Sequence, residues 1–225
     1  MASALGKISQ LVSRKMRRLE EHDFRHRLES YLGELRHAVM GCRTLLDIGC
    51  GPQSLMARID WDYSVGIEGY GPAAETARLS ATHSQVVSCN LLEIPLMFEP
   101  ASFDAVAALD VIEHLEKEEG YRLIETMERL ARKVVVLSTP NGFLPQSSDD
   151  NELQEHISGW DWREMEELGF TVRGLFGPKV LRGEYHLPRF RPAPLFGLLA
   201  EAGDLFYTRS HPRSAAGILC TKHTD

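Results

Sequence analysis

The most constraining feature of this chain is the eight-residue segment LLDIGCGP at residues 45–52. A short apolar run reaches the acid Asp47, and Gly49 and Gly51 then open a turn. Glycine suits such a turn because it adopts positive φ easily and because a Cβ would keep a ligand away from the backbone. The pattern therefore predicts a buried strand that leads into a ligand-binding loop.

A second strand signal follows this turn. The segment YSVGIE at residues 63–68 is short and mostly apolar, and it ends in Glu68. In nucleotide-binding βαβ units, an acid about twenty residues after the glycine turn accepts hydrogen bonds from ribose hydroxyls. A solvated loop glutamate is the alternative interpretation. The glycine turn and Glu68 together indicate a ligand that contains adenosine.

The glycine spacing distinguishes between adenosine ligands. The run GCGPQS at residues 49–54 lacks the third glycine of the dinucleotide-binding pattern GxGxxG. Asp47 precedes the turn, where its carboxylate would repel a pyrophosphate and attract an ammonium group. S-adenosylmethionine carries an ammonium group and no phosphate, so the turn favours this ligand over a nicotinamide dinucleotide.

Residues 44–142 resemble the core of class I S-adenosylmethionine-dependent methyltransferases, in their small-molecule, type 11/12-like branch. The matching segments are, in chain order, LLDIGCGP at 45–52, VGIE at 65–68, SCNLLEIP at 88–95, SFDAVAALDVIEHL at 102–115 and VVVLSTPNG at 134–142. The resemblance implies an α/β fold, a Rossmann-like seven-stranded sheet with flanking helices and one reversed strand near the C-terminus. It also implies S-adenosylmethionine as cofactor and S-adenosylhomocysteine as product.

The resemblance further implies which residues hold the cofactor. Such enzymes usually place an acid after the third strand, where it accepts a hydrogen bond from the adenine amino group. This chain has Asn90 there, whose carbonyl accepts without a charge. Leu91 would pack on the adenine or belong to the core. The expected cofactor-binding set is Asp47, Gly49, Cys50, Gly51, Glu68, Gly69, Asn90, Leu91, Leu109 and Asp110.

The end of the fourth predicted strand carries the candidate chemistry. Asp110, Glu113 and His114 are spaced i, i+3 and i+4, so they share one face of a helical turn. His114 is a candidate general base, since imidazole titrates near neutral pH. His156, in the polar loop that follows the fifth predicted strand, is a second candidate for the base or a plain loop residue.

The same turn resembles the magnesium site of ubiquinone-pathway O-methyltransferases and of small-RNA 3′-end methyltransferases. A magnesium ion there would lower the pKa of vicinal hydroxyls. Mg²⁺ prefers oxygen ligands, whereas this turn offers two carboxylates and one nitrogen. We therefore expect Glu113 and His114 to orient the cleft, and the expected site has no metal.

Apolar periodicity organises the rest of the chain. Residues 1–43 show helical spacing and are expected to form an N-terminal helical cap over the cleft. Residues 44–225 are expected to form the methyltransferase domain, with a variable substrate-side insertion near 183–212. Strands are predicted near 44–49, 63–68, 84–89, 103–109, 133–139, 170–176 and 216–222. Helices are predicted near 53–59, 72–81, 115–131 and 160–168, with Gly120 breaking or bending the third.

Composition narrows the possible partners. A formal net charge of −7 argues against general nucleic-acid binding. The basic N-terminal stretch leaves open a peripheral membrane contact, with a solvated helical face as the alternative. No apolar run is long enough for a membrane span, no signal peptide is recognisable, and the four cysteines form no CxxC pair. We therefore expect a cytoplasmic protein, for whose oligomeric state the sequence has no signal.

The sequence predicts methyl transfer to a small or lipid-linked metabolite, at an oxygen atom. One alternative is an RNA 3′-end 2′-O-methyltransferase, which would need a divalent metal and a basic groove. A nicotinamide oxidoreductase is disfavoured by Asp47 and by the missing third glycine. A third alternative is a non-catalytic binding module with the same fold, which would hold the cofactor without transferring its methyl group.

Overall fold

The computed structural model describes residues 21–146, 152–183 and 186–224. One mixed sheet organises them, and its strands are β1 Thr44–Ile48, β2 Tyr63–Glu68, β3 Gln85–Ser88, β4 Phe103–Leu109, β5 Ala131–Pro140, β6 Thr171–Pro178 and β7 Ala215–His223. The strand order is β3-β2-β1-β4-β5-β7-β6, with β7 antiparallel to both of its neighbours. The expected seven-stranded sheet with one reversed strand is confirmed.

The described chain begins in a helix, α1, which runs through residues 21–38. The other helices are α2 Gly71–Leu79, α3 Lys117–Leu130, α4 Trp162–Glu167 and α5 Ala193–Gly203. A short π-helical turn, Asp204–Thr208, continues α5. The predicted strands and three of the predicted helices lie within a few residues of the observed ones.

Both faces of the sheet are buried, which explains why the central strands are apolar at nearly every position. Along β4, Val106 and Ala108 contribute to the apolar core that includes the buried side of α3. Ala105 and Ala107 alternate with them and belong to the core on the opposite face. That second core includes Tyr31 and Leu35 of α1 and Val39 just after it, so the described part of the N-terminal helix packs on the sheet.

The predicted helix near 53–59 is only a single 3₁₀ turn, Met56–Arg58. Local polar contacts explain the difference. The Ser54 hydroxyl oxygen accepts a hydrogen bond from the Met56 amide at 3.1 Å, and the Trp61 indole donates to the Met56 carbonyl at 2.9 Å. These bonds compete with the helical pattern.

Gly120 does not break α3, which runs through it without interruption. The reason for a glycine at this position is a neighbouring aromatic ring. A Cβ on Gly120 would lie 2.3 Å from Cζ2 of Trp160, whose side chain is fully buried. Gly120 therefore lets the Trp160 ring pack directly against the helix backbone.

This packing predicts opposite effects for two glycine-to-alanine changes. Gly33 lies in α1, and a Cβ added to it would have nothing within 4 Å. Gly33→Ala should raise the free energy of unfolding by about 0.5–1 kcal/mol, because glycine costs about that much in a helix. Gly120→Ala should lower it by about 1–3 kcal/mol, because the added methyl group overpacks the core.

Equilibrium urea unfolding of the two variants and the parent protein measures both effects. Gly33→Ala serves as the matched control for helix propensity. An equal stabilisation by the two changes would contradict the close packing of Trp160 on α3.

Candidate functional site

The carboxyl ends of the parallel strands meet at one edge of the sheet, where ligands bind in open α/β folds. A cavity of about 410 Å³ opens at this edge. Its lining combines the ends of β1, β2 and β4 with the start of α3 and the loop after β5. The lining residues are Gly49, Glu68, Gly69, Asn90, Leu91, Asp110, Val111, His114, Leu115, Glu119, Leu153 and Gln154.

The glycine turn forms one wall of this cavity. Gly49 has φ +67°, and a Cβ there would come within 2.5 Å of Val111 Cγ2. Gly51 has φ +54°, with nothing within 4 Å of its Cβ position. Gly49 is thus needed both for its positive φ and for the close packing of Val111 against the turn. Gly51 faces open space, which leaves room for a ligand to approach the backbone.

Glu68 is held in a fixed orientation at the end of β2. Its Oε2 accepts a hydrogen bond from the Gly51 amide and its Oε1 accepts one from the Tyr70 amide, each at 2.8 Å. A carboxylate has about four acceptor positions, so both oxygens can accept further hydrogen bonds. Glu68 therefore ties the glycine turn to β2 and presents an oriented acceptor to the cavity.

Asp47 occupies a different environment from the one the sequence suggested. Its carboxylate is buried, lies 3.0 Å from Nε2 of His83 and accepts a hydrogen bond from the Ser54 hydroxyl. It is not among the residues that line the cavity. His83 had no recognisable signal in the sequence, since it precedes the short strand β3 outside any motif.

The structure brings together six of the ten expected cofactor residues in the cavity wall: Gly49, Glu68, Gly69, Asn90, Leu91 and Asp110. The other four are not among its lining residues. Gly51 contacts Glu68 through its amide, Cys50 is buried against Gly66, and Leu109 packs with the core on the α1 side of the sheet.

Asp110 does not share a helical face with Glu113 and His114. It has φ +54°, and only Ile112–His114 form a 3₁₀ turn. The Asp110 amide donates to the carbonyl of Ser138 at 3.0 Å, and the Ser138 hydroxyl donates to Asp110 Oδ1 at 3.1 Å. Tyr31 of α1 donates to the same hydroxyl oxygen. These contacts hold Asp110 toward β5.

A histidine from the distant polar loop joins the turn instead. Ligand-type atoms of Glu113, His114 and His156 all lie within 4.8 Å of one another. Glu113 is almost fully buried, and neither of its carboxylate oxygens has a hydrogen-bond partner among the described residues. The cluster at this turn therefore consists of Glu113, His114 and His156. Asp110, which the sequence placed on one face with Glu113 and His114, is not part of it.

Backbone carbonyls orient both imidazole rings. Nδ1 of His114 lies 2.9 Å from the Glu155 carbonyl oxygen, and Nδ1 of His156 lies 2.7 Å from the Leu144 carbonyl oxygen. A carbonyl can only accept, so each Nδ1 carries the proton and donates it. In the neutral rings, whose centroids are 4.8 Å apart, each Nε2 then carries a lone pair.

Desolvation shifts the titration of these groups toward their neutral forms. Burial raises the pKa of Glu113 well above its ordinary value, and the negative charge of Asp110 raises it further. Desolvation also raises the pKa of Asp110, against the opposing hydrogen bond from Ser138. Burial lowers the pKa of His114 below its ordinary value of 6.5. At neutral pH, His114 is therefore an uncharged imidazole that can accept a proton.

The loop that carries His156 is attached directly to the turn that carries Glu113. The amides of Ile157 and Ser158 donate to the Glu113 carbonyl oxygen at 2.9 and 3.0 Å. The Trp160 indole donates to the Ile112 carbonyl oxygen at 3.1 Å, across 48 positions of the chain. These bonds explain how residues far apart in sequence meet in one cluster.

Residues 46–138 match the family model described as a methyltransferase domain. The chain has the class I methyltransferase fold. The matched segment contains the glycine turn, Glu68, Asn90 and the turn with Glu113 and His114. His156 lies outside it. Among curated protein sequences, none matches the chain.

Solved structures show the same methyltransferase fold at low sequence identity. An S-adenosylmethionine-dependent methyltransferase from Archaeoglobus fulgidus is 18% identical, with a TM-score of 0.56 over 88% of this chain and 94% of that one. The methyltransferase domain of bacterial CtHen1 is 16% identical, with a TM-score of 0.53 over 90% of this chain and 100% of that one.

A third structure is geranyl diphosphate C-methyltransferase from Streptomyces coelicolor A3(2), in complex with Mg²⁺, geranyl diphosphate and S-adenosylhomocysteine. It is 16% identical, with a TM-score of 0.56 over 88% of this chain and 77% of that one. These structures confirm the expected methyltransferase fold, and the family match to a methyltransferase domain covers residues 46–138.

We propose that Glu68 accepts the ribose hydroxyls of the cofactor, which predicts the effect of removing its carboxylate. Glu68→Ala should weaken S-adenosylhomocysteine binding roughly tenfold or more, because hydrogen bonds to a charged acceptor are lost. Glu75→Ala, on the exposed side of α2, removes the same charge and should leave the affinity unchanged.

Isothermal titration calorimetry of both variants measures the affinity, and circular dichroism checks that each one is folded. An unchanged dissociation constant in folded Glu68→Ala would rule out the ribose assignment.

Proposed function

We propose that the protein transfers the methyl group of S-adenosylmethionine to an oxygen atom of a small or lipid-linked metabolite. In this proposal Gly49, Gly51 and Glu68 hold the ribose and the amino-acid end, and Asn90 and Leu91 hold the adenine. Gly69, Cys50, Leu109 and Asp110 shape the edges of the same cleft. Asp47 contacts Ser54 and His83 and so supports the glycine turn. Its effect on the cofactor is through that turn.

The observation that carries this proposal is the state of His114. It lines the cavity, its Nδ1–H is occupied by the Glu155 carbonyl, and its lowered pKa leaves Nε2 unprotonated at neutral pH. A general base in this position suits a hydroxyl acceptor, which must lose a proton as it attacks. An amine that arrives neutral would need less help.

His114 and His156 divide the proposed base function. His114 lies in the cavity wall, whereas His156 is buried behind it, with the two rings packed edge to face. We propose that His114 takes the proton from the acceptor hydroxyl, and that His156 is the second candidate base. The sulfonium is already an activated leaving group, so alignment of acceptor, methyl and sulfur supplies much of the acceleration.

The type of acceptor is inferred from the cavity and from charge. Leu91, Leu115 and Leu153 give the wall apolar surface beside the polar groups. The net charge of −7 disfavours a polyanionic acceptor such as RNA. The fold neighbour named for geranyl diphosphate acts on a prenyl compound, and this supports an acceptor with an apolar chain. We propose residues 183–212 as the variable substrate-side insertion. Of the expected N-terminal cap, residues 1–20 lie outside the described residues, and α1 packs on the face of the sheet and does not line the cavity.

The pH dependence of kcat/KM tests the role of His114. The proposed base is active when neutral, and its pKa is below the ordinary 6.5 because burial disfavours the charged form. The rate should therefore be constant above pH 6.5 and should fall only at lower pH. His114→Ala should reduce kcat by about 10²–10⁴-fold, the usual contribution of a general base.

Acceptors are found first by incubating the protein with methyl-labelled cofactor and fractionated metabolite extracts. The pH profile is then measured on the best acceptor, with His37→Ala, an exposed histidine of α1, as control. A full rate in His114→Ala, or an acid limb unchanged by that substitution, would contradict the proposal.

A second candidate mechanism uses a divalent metal, and the cluster of Glu113, His114 and His156 favours it. Two imidazole Nε2 atoms and a buried carboxylate without a partner make a three-ligand set that leaves positions open for a substrate. This set suits zinc-like ions better than Mg²⁺, which prefers oxygen ligands. A bound ion would lower the pKa of an acceptor hydroxyl. Mg²⁺ remains the less favoured cofactor.

Glu113→Gln separates the two mechanisms. A zinc or manganese ion at about 100 times its dissociation constant should stabilise the parent protein by about 2.7 kcal/mol and should not stabilise the variant. Without metal, the variant should be the more stable protein at pH 8. The pKa of Glu113 in the folded state is raised above its ordinary value of 4.5. The free energy of unfolding of the parent protein should therefore decrease as the pH rises above 4.5, because the unfolded state releases the Glu113 proton first. The two proteins should converge toward pH 4.5.

Thermal unfolding at pH 5 and pH 8, with and without each ion, gives both results. Glu155→Gln, which keeps its backbone contact to His114, is the matched control. Equal stabilisation of the parent and Glu113→Gln by metal would exclude this cluster as the metal site.

Other functions give different outcomes in the same experiments. An RNA 3′-end 2′-O-methyltransferase would show metal-dependent methylation of RNA and a strongly salt-dependent affinity for it. A non-catalytic module would bind S-adenosylhomocysteine and methylate nothing in any extract. We also propose a cytoplasmic location, which the four free cysteines support. No helix in the described ranges is long and apolar enough to cross a membrane.

A further inference from the structure

Helix α5 buries small apolar residues and exposes large ones, which is the opposite of an ordinary surface helix. The buried positions are small: Ala193, Gly197 and Ala200. A Cβ on Gly197 would lie 3.1 Å from the carboxyl carbon of Asp23, so α5 packs closely on α1. The large side chains Leu195, Leu198 and Leu199 point to solvent, about half exposed. Apolar helix residues normally face the core.

The exposed apolar surface extends beyond α5 in both directions along the chain. We name it the α5 surface, and it consists of the exposed side chains of Leu187, Phe190, Leu195, Leu198, Leu199, Leu205, Phe206 and Tyr207. Phe206 is 80% exposed. The positions 195, 198 and 199 share one side of the helix. Exposed apolar side chains that are grouped in this way mark interaction sites.

The exposed charged side chains within residues 186–214 have one sign. Within residues 186–214, Arg189, Arg191 and Arg213 are exposed. The acids of this segment are Glu201 and Asp204, and neither is exposed. Asp204 is buried and pairs with Arg209 at 3.2 Å. An excess of exposed cationic side chains in this described segment is unexpected in a chain of net charge −7.

The segment that carries α5 leaves and rejoins the sheet at the edge where the cavity opens. The end of β6 pairs with the start of β7 at Pro178 and Ala215, and the end of β5 pairs at Pro140 and Gly217. The segment between β6 and β7 therefore begins and ends at the edge where β1 and β4 also end.

We propose that the α5 surface docks on a membrane that contains anionic lipids. Leucine and aromatic side chains would enter the interfacial region, while the arginines contact lipid phosphates. A second copy of the chain fits less well, because a two-fold contact through this surface would bring its arginines together. This docking would bring a lipid-linked acceptor to the cleft, although the docking itself does not depend on the proposed methyl transfer.

Vesicle flotation of the full chain tests the proposal without cofactor or acceptor. The protein should float with vesicles of phosphatidylglycerol and phosphatidylcholine and much less with phosphatidylcholine alone. Leu198→Gln with Leu199→Gln should reduce the partition coefficient roughly tenfold or more, because apolar burial in the interface is lost. The matched control is Leu79→Gln with Leu96→Gln, two leucines exposed elsewhere, which should bind like the parent.

Arg189→Gln with Arg191→Gln isolates the electrostatic part. Each arginine near an anionic surface contributes roughly fivefold to partitioning, so the pair should lose roughly 20–30-fold on anionic vesicles. Arg122→Gln with Arg163→Gln, exposed on α3 and α4, makes the same change in net charge and should have little effect.

Several results would overturn the proposal. The first is the absence of flotation by the parent protein. The second is flotation that survives both sets of substitutions in the α5 surface, which would move the membrane contact elsewhere, for example to the basic N-terminal stretch. The third is a dimer of the parent protein, by sedimentation, that the leucine variant converts to a monomer while neither protein binds vesicles.

Discussion

The parallel pairing of β1 with both of its neighbours is the constraint on which the site depends. Ile48 lies opposite Ile67 of β2 and opposite Ala108 of β4, so the three strands end at the same level. The glycine turn, Glu68 and Asp110 follow these strands directly, and this brings them to one cavity. A slip of one residue would turn the side chains of a strand to the opposite face and separate the three groups. Burial of both faces of β1 opposes such a slip.

Local patterns were sufficient to predict the sheet and several residues that line the cavity. The apolar strands and the acid that ends β2 are encoded in short segments, and each predicted strand is observed within a few residues. The contacts that were missed join residues far apart in sequence. His83 reaches Asp47, and His156 reaches Glu113, across stretches of chain with no motif. The position of Asp110 also depends on Ser138 and Tyr31, so a helical spacing rule applied to residues 110–114 alone was wrong.

Gly120 shows how a propensity argument and a packing argument can disagree. Glycine in a helix indicates a break when only local backbone preference is considered. In the folded protein the Trp160 ring occupies the space where a side chain of α3 would lie. The same indole donates to the Ile112 carbonyl, next to Glu113. One buried aromatic residue thus connects α3, the loop of His156 and the turn of the candidate site, so the glycine contributes to the geometry of the site.

Burial of Glu113 disfavours its charged carboxylate more than its surroundings stabilise it, which raises its pKa. A carboxylate removed from water is stabilised only by a cation or by hydrogen bonds, and otherwise it remains protonated. Because the Nδ1–H groups of both histidines already donate to carbonyls, the Nε2 atoms of the neutral rings carry lone pairs. They therefore cannot donate to Glu113 without becoming charged themselves. A proton shared with an imidazole or a bound metal ion would each resolve this conflict, and both require Glu113 to act together with the two histidines. The physical unit of the candidate site is this cluster, which borders the cavity through His114.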